Sequence, residues 1–269
     1  MLLKDVKKNL FALFAANSSL SRAPQKNVKN FIAWDVKVNL HRMMLKKFAM
    51  QKRLNGDNRM KPIKEYLNEG LIRRQSGMDM RAKIEAWLKE HGVGGYFINS
   101  DMTIDVNRYV SLSKYTEKQL PDYIQFGEVA VGFDFSGCPK LESLRGVPKR
   151  VGGYFDCGDC PKLESLEGAP QYVGGSFHCN NCAKLESLKG APQKVVGVFN
   201  CGHCAKLESL EGAPREVGTG FNCSNCTNLK SLGGAPQKVG EYFSCYKCGV
   251  QFTEEDVKKV CKVEGNIRV

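Results

Sequence analysis

The sequence predicts an α/β repeat solenoid built on a parallel sheet of 22-residue units, preceded by an α-helical basic domain and closed by a helix-strand cap. Two observations carry this. From Val129 to Cys248 the same residue types return at one phase, as in VGGYFDCGDCPKLESLEGAPQY from Val151 to Tyr172, and a fixed period in the twenties marks stacked units that bury their apolar faces against their neighbours. Second, residues 1–92 hold 20 Lys+Arg against 8 Asp+Glu, whereas residues 93–269 hold 20 against 20, so the net charge of +12 lies wholly in the first third. The expected divisions are a basic helical domain over 1–92, an N-terminal cap over 93–128, repeats over 129–250 and a C-terminal cap over 251–269.

In the first segment Phe31, Trp34, Val38, His41, Leu45 and Phe48 recur at steps of three and four, which predicts one apolar stripe on a helix over about 28–53. Pro62 suits the first turn of a second helix carrying Ile63, Tyr66, Leu67 and Leu71. A third helix is expected from about Asp79 to His91, with Met80, Ile84, Trp87 and Leu88 inward and Gly92 as its stop. Beyond Gly94 the pattern shortens to strand-like pieces at Tyr96–Asn99, Thr103–Val106 and Tyr109–Leu112, suited to covering the open end of the first repeat.

Within the repeats Phe133, Phe155, Phe177, Phe199, Phe221 and Phe243 form one column. Cys157, Cys179, Cys201, Cys223 and Cys245 form a second, with Phe135 in the matching slot of the first copy. Cys138, Cys160, Cys182, Cys204, Cys226 and Cys248 form a third, and Leu-x-x-Leu and a Gly-x-Pro turn complete each copy. Phe and the first Cys are two residues apart, so both face one side of a short strand. After Cys248 the pattern lapses; Thr253 with Asp256 reads as a capping box that starts a helix over Glu254–Val263, and Asn266–Val269 reads as a last strand.

The order Phe, Cys, Cys, Leu resembles the leucine-rich repeat. The Leu-Glu-Ser-Leu, Gly-Ala-Pro and double-Cys version, with the Phe-Thr-Glu-Glu-Asp-Val cap, looks like uncharacterised leucine-rich-repeat proteins of tailed bacteriophages over about residues 84–269. The resemblance implies a parallel-strand solenoid whose second Cys bonds backbone groups where the chain turns away. It also implies a cytoplasmic protein of an infected bacterium. It carries over no functional residue.

Composition agrees with a folded, membrane-free chain: 42% of the 269 residues are apolar, yet no run is long enough to span a bilayer. Leu10–Ala16, behind Lys4, Lys7 and Lys8 but also Asp5, is too short an apolar run for the signal peptide it otherwise resembles. The five Cys-x-x-Cys pairs, 18 residues apart, have the spacing of a four-Cys zinc site. Five pairs cannot be shared out into such sites without a remainder, and Phe135 replaces a ligand in the first copy. The expectation is therefore reduced, buried thiols with no metal and no cofactor; repeats stabilised by zinc are the alternative.

The outward strand positions are the expected protein-binding face: Tyr154 and Asp156, Ser176 and His178, Val198 and Asn200, Asn222, Tyr242 and Ser244, with Tyr246 beside them. Tyr is enriched at interaction hot spots. The bland alternative is that these small polar residues only keep a parallel sheet solvated. In the basic segment Lys29, Lys37, Arg42, Lys46, Lys47, Lys52 and Arg53 surround the apolar stripe and are candidates for contact with nucleic-acid phosphates. A solvated or acidic-partner surface is the alternative there. There is no phosphate-binding glycine loop, paired-carboxylate motif or nucleophile elbow, so no catalytic residue is expected. The function expected is a non-enzymatic protein-binding module; a nucleic-acid-associated protein with scaffold repeats is the alternative.

Overall fold

The computed structural model describes residues 63–269. The helix expected over 28–53 lies outside the described residues. A single helix, α1 (Ile63–Glu90), runs through both of the segments expected to be separate helices. Gly70 and Gly77 lie inside it; an interior Gly costs a helix only about 1 kcal/mol and, unlike Pro, leaves the hydrogen-bond ladder intact. The chain divides into two compact units, Met1–Gln75 and Ser76–Val269, and the solenoid belongs to the second.

Gly92 stops α1 as expected. It adopts φ +66°, its N–H donates to Lys89 O at 3.2 Å, and the Val93 N–H reaches back to Leu88 O at 2.8 Å. This is a Schellman closure, with Leu88 and Val93 both buried.

Each turn of the solenoid holds two short strands, where the repeat pattern had suggested one. In the turn quoted above, β6 (Arg150–Val151) belongs to one sheet and β7 (Tyr154–Asp156) to another. The first sheet also contains β1 (Tyr96–Ile98), β2 (Ile104–Val106), β4 (Phe126–Val129), β8 (Tyr172–Val173), β10 (Lys194–Val195), β12 (Glu216–Val217), β14 (Lys238–Val239) and β16 (Lys262–Val263). The second also contains β3 (Val110–Ser111), β5 (Gly132–Asp134), β9 (Phe177–His178), β11 (Phe199–Asn200), β13 (Gly220–Asn222), β15 (Tyr242–Ser244) and β17 (Asn266–Arg268). Strands pair in register and parallel at the 22-residue step, as in Phe155 opposite Phe177 and Val151 opposite Val173. At the ends the step lengthens to 23 residues, as in Val110 opposite Phe133, and to 24, as in Lys238 opposite Lys262, with a register shift between β2 and β4. Only β1 runs antiparallel, against β2, and covers the first edge.

The two strands of a turn are separated by only two or three residues, and the corner between them is tight enough to explain its glycines. A Cβ at Gly152 would lie 2.1 Å from Ala130 O, and one at Gly240 would lie 1.9 Å from Gly218 O. Each corner is stacked on the backbone of the corner before it, so a side chain has nowhere to go.

The core is the sum of the columns. The six Phe rings of the repeat column stack along the solenoid at centroid distances of 5.1–5.9 Å. The Leu column from Leu141 to Leu229, the Val column from Val151 to Val239 and Phe135 are fully enclosed beside them. At the N-terminal end Ile84, Trp87 and Leu88 of α1 join this core, with the Trp87 ring edge-on to Phe126 at 6.4 Å.

At the far end α2 (Glu254–Val260) begins with the expected capping box. Thr253 Oγ1 accepts from the Asp256 N–H at 3.2 Å, and Asp256 Oδ2 accepts from the Thr253 N–H at 3.1 Å. The helix ends at Val260, short of the expected Val263, because Cys261 is extended and Lys262–Val263 pair with Lys238–Val239 as β16. Among the described residues no helix is long and apolar enough to cross a membrane.

Candidate protein-binding face

The thiols define what the fold does with its cysteines. Every Cys of the third column except Cys138 reaches back 25 residues to the turn before and donates from Sγ to the backbone carbonyl of the residue in the second column's slot. Cys182 reaches Cys157 O at 3.3 Å, Cys204 reaches Cys179 O at 3.2 Å and Cys226 reaches Cys201 O at 3.3 Å. Cys160 bonds Phe135 O in the same way at 3.3 Å, so Phe can take the first slot without loss of the ladder. All twelve Cys are free and all but Cys248 are buried. Burial pushes Cys157, Cys179, Cys201, Cys204 and Cys223 far above the ordinary thiol range, and Cys182 and Cys226 up to about 12. At neutral pH these thiols are protonated. Among the described residues no group of three or more His, Cys, Asp or Glu could hold a metal.

The two residues between each Cys pair form a corner whose second member adopts the left-handed conformation at every turn: Asp159, Asn181, His203, Asn225 and Lys247, with φ between 53° and 60°. Asn, Asp and His are the non-glycine residues most tolerant of it. The Asp, Asn, His and Asn at four of these five positions are a turn signal legible in the sequence.

Outside this corner lies the outer face of the second sheet. One column on it runs Asp134, Asp156, His178, Asn200, Asn222, Ser244, Arg268, each register-paired with the next. Its acidic and amide members are partly structural. Asp156 Oδ1 accepts from the Gly158 N–H at 2.8 Å, Asn200 Oδ1 from Gly202 at 3.0 Å and Asn222 Oδ1 from Ser224 at 3.0 Å, shaping the corner as Asx turns. Asn222 Nδ2 donates to Asn200 Oδ1 at 3.1 Å, linking adjacent turns. Partial burial raises the Asp156 carboxyl above its usual range.

Ser244 does not belong to the presented face: it is 4% exposed and bonds the Ser224 hydroxyl at 2.8 Å in a buried pair. The corner residue Ser224 is itself buried, so the neighbouring hydroxyl turns to meet it.

The second column consists of Tyr154, Ser176, Val198, Gly220 and Tyr242. The Tyr154 ring leans over Gly132 and that of Tyr242 over Gly220, where a Cβ would lie 3.0 Å and 2.1 Å from the respective Cε1. Tyr109, which precedes β3, packs against Tyr154 at 5.7 Å and donates its hydroxyl to Asp134 Oδ2 at 2.9 Å. Ser176 Oγ accepts from the Val198 N–H at 3.0 Å, while Tyr246 projects from the corner after β15, 41% exposed. The predicted tyrosines thus sit on one surface, held by rigid neighbours.

Charges are arranged differently on the other two sides of each turn. On the first sheet Arg150 pairs with Glu128, Lys194 with Glu216 and Lys238 with Glu264, at 3.2, 2.9 and 2.9 Å. Along the Leu-x-x-Leu side Lys184 pairs with Glu164, Lys206 with Glu186 and Lys230 with Glu208, at 2.9, 2.8 and 3.1 Å. Among the described residues, the charges at Asp134, Asp156 and Arg268 on the second sheet and at Asp159 and Lys247 in its corners enter no ion pair.

Two shallow pockets lie near the N-terminal cap. One of 460 Å³ is lined by Tyr96, Phe97, Arg150 and Tyr172, with Arg150 stacked on the Tyr172 ring at 4.5 Å. The other, of 570 Å³, lies beside Trp87, His91 and Tyr115, where the His91 ring stacks on Trp87 and its Nδ1 bonds the Trp87 carbonyl at 2.9 Å. The candidate nucleic-acid residues Lys29, Lys37, Arg42, Lys46, Lys47, Lys52 and Arg53 lie outside the described residues.

No protein-family model matches the chain, and no curated protein or solved structure matches it either.

Proposed function

We propose that the protein is a non-enzymatic binding module that engages a protein partner through the outer face of the second sheet. The single observation that supports this most is the charge arrangement: the other two sides carry ion pairs from one turn to the next, such as Arg150 with Glu128 and Lys184 with Glu164, alongside unpaired charges such as Lys149 and Lys162, whereas among the described residues Asp134, Asp156, Asp159, Lys247 and Arg268 on this face enter none and lie beside exposed tyrosine rings. Tyr supplies a large contact area for few rotatable bonds, and unpaired charges at the edge of an interface steer and orient a partner. The likeness to phage leucine-rich-repeat proteins fits such a role without naming the partner.

The test is photocrosslinking in cells with a light-activated phenylalanine analogue placed at Tyr154, and separately at Lys162, exposed on another side of the same turn. Adducts to protein from position 154 and none from 162 are expected; equal yields from both would overturn the reading.

A second reading, nucleic-acid contact through residues 1–92, is favoured by the concentration of the whole +12 charge there. Phosphate contacts predict binding that weakens steeply with salt and is lost when Lys46 and Lys47 are changed to Glu.

A further inference from the structure

The unpaired charges on the second sheet lie at opposite ends of it. Asp134, Asp156 and Asp159 belong to β5, β7 and the corner that follows, whereas Lys247 and Arg268 belong to the corner after β15 and to β17. In the order of the sheet, β11 has β9, β7, β5 and β3 on one side and β13, β15 and β17 on the other, so β3 and the Lys114 corner after it lie beyond the matched turns. Three turns each way from β11, Asp134 matches Arg268. Two turns each way, Asp159 matches Lys247.

The uncharged positions follow the same relation. Two turns from β11, Tyr154 matches Tyr242, and the buried Gly158 matches the exposed Tyr246. One turn away, Ser176 matches Gly220 and Asn181 matches Asn225. On the axis Val198, half-buried, and His203, exposed, match themselves. Both tyrosine rings lean toward the N-terminal turns, over Gly132 and Gly220, so rings brought face to face would interleave rather than collide.

We propose that this face docks a second copy of the same chain, face to face, about a two-fold axis running along β11. Rotation about an in-plane axis parallel to a strand keeps each column opposite itself and reverses the order of turns. That is the operation which sets acid opposite base here. It also aligns the strands of the two copies, the common way for sheets to pack. An isologous contact requires a self-complementary patch, and this one is complementary in charge at Asp134 with Arg268 and Asp159 with Lys247. Seven strands at about 4.8 Å spacing make a strip about 30 Å long and one strand wide, so the area buried falls at the low end of specific interfaces and the dimer is weak and concentration-dependent.

This proposal rests on the reading of the face as a binding surface and names its occupant. The test is sedimentation equilibrium of the full chain over a concentration series, with Asp159→Lys and Lys247→Asp. Both positions are left-handed and exposed, and the fold already accepts Asp at one and Lys at the other, so the substitutions exchange residues the backbone tolerates. Each single variant brings like charges together twice per dimer, and association should weaken about tenfold. An equimolar mixture of the two should associate as wild type does, because the mixed dimer restores both attractive pairs; this also verifies that both variants fold. A wild type that stays monomeric throughout, single variants that associate undiminished, or a mixture that fails to recover would each overturn the proposal. Adducts from position 154 to other proteins, alongside a monomeric wild type, would overturn the self-docking while leaving the binding face in place.

Discussion

Raising the pH should unfold this protein through its cysteines. Cys157, Cys179, Cys182, Cys201, Cys204, Cys223 and Cys226 have no exposed surface, and burial holds all of them above the usual value of 9.0, with Cys182 and Cys226 at about 12. Between those values the unfolded chain releases protons that the folded chain keeps. The unfolded state then binds fewer protons, so stability falls as pH rises; below about pH 8 both states are protonated and nothing is lost.

For each thiol the loss is RT ln(1 + 10^(pH − 9)), which for seven thiols is about 3 kcal/mol at pH 9 and about 10 kcal/mol at pH 10. Those amounts compare with a total stability of about 5–15 kcal/mol for a folded domain. Urea unfolding followed by far-ultraviolet circular dichroism, in reductant at pH 7, 8, 9 and 9.5, measures this directly. The midpoint should hold between pH 7 and 8, then drop, with the thiols becoming reactive to a disulfide reagent in the same range. An unchanged midpoint at pH 9.5 would refute the assignment of the Cys columns as neutral core donors.

Other outcomes follow from the packing. Phe199→Ala removes a ring stacked between Phe177 and Phe221 at 5.2 and 5.6 Å, and should cost about 3–5 kcal/mol in urea unfolding. Gly240→Ala places a Cβ 1.9 Å from the Gly218 carbonyl and should exceed the usual overpacking cost of about 1–3 kcal/mol, whereas Gly94→Ala, which meets nothing within 4 Å, should leave the melting temperature unchanged or raise it. Thr253→Ala opens the capping box of α2 and should cost about 1 kcal/mol, read as faster amide exchange over Glu254–Val260.

Much of the solenoid is legible in the chain because each repeat column imposes one environment many times. Phe135 in a Cys slot shows that the slot is apolar, and that one substitution argues for core more strongly than the zinc-like spacing argues for metal. The second strand of each turn was harder to see. Its Val column, from Val129 to Val239, stands in plain sight, but a two-residue strand shows no alternation to detect. The continuity of α1 was also hidden, since Gly70 and Gly77 weaken a helix locally while only the whole helix decides whether it continues.

The candidate face divides along the same line. Sequence alone determined which residues point outward from the Phe and Cys columns, since period-two alternation is a local property of an extended chain. Tertiary structure alone decided what those residues do. It turned Ser244 inward to meet Ser224, tied Asp156, Asn200 and Asn222 into the corners, and set the tyrosines over glycines of neighbouring turns. It also decided which charges find partners, because a Lys and a Glu about 20 residues apart become neighbours only once one turn is stacked on the next. Pairing between turns depends on the rise of the solenoid, and that distance is written in no single repeat.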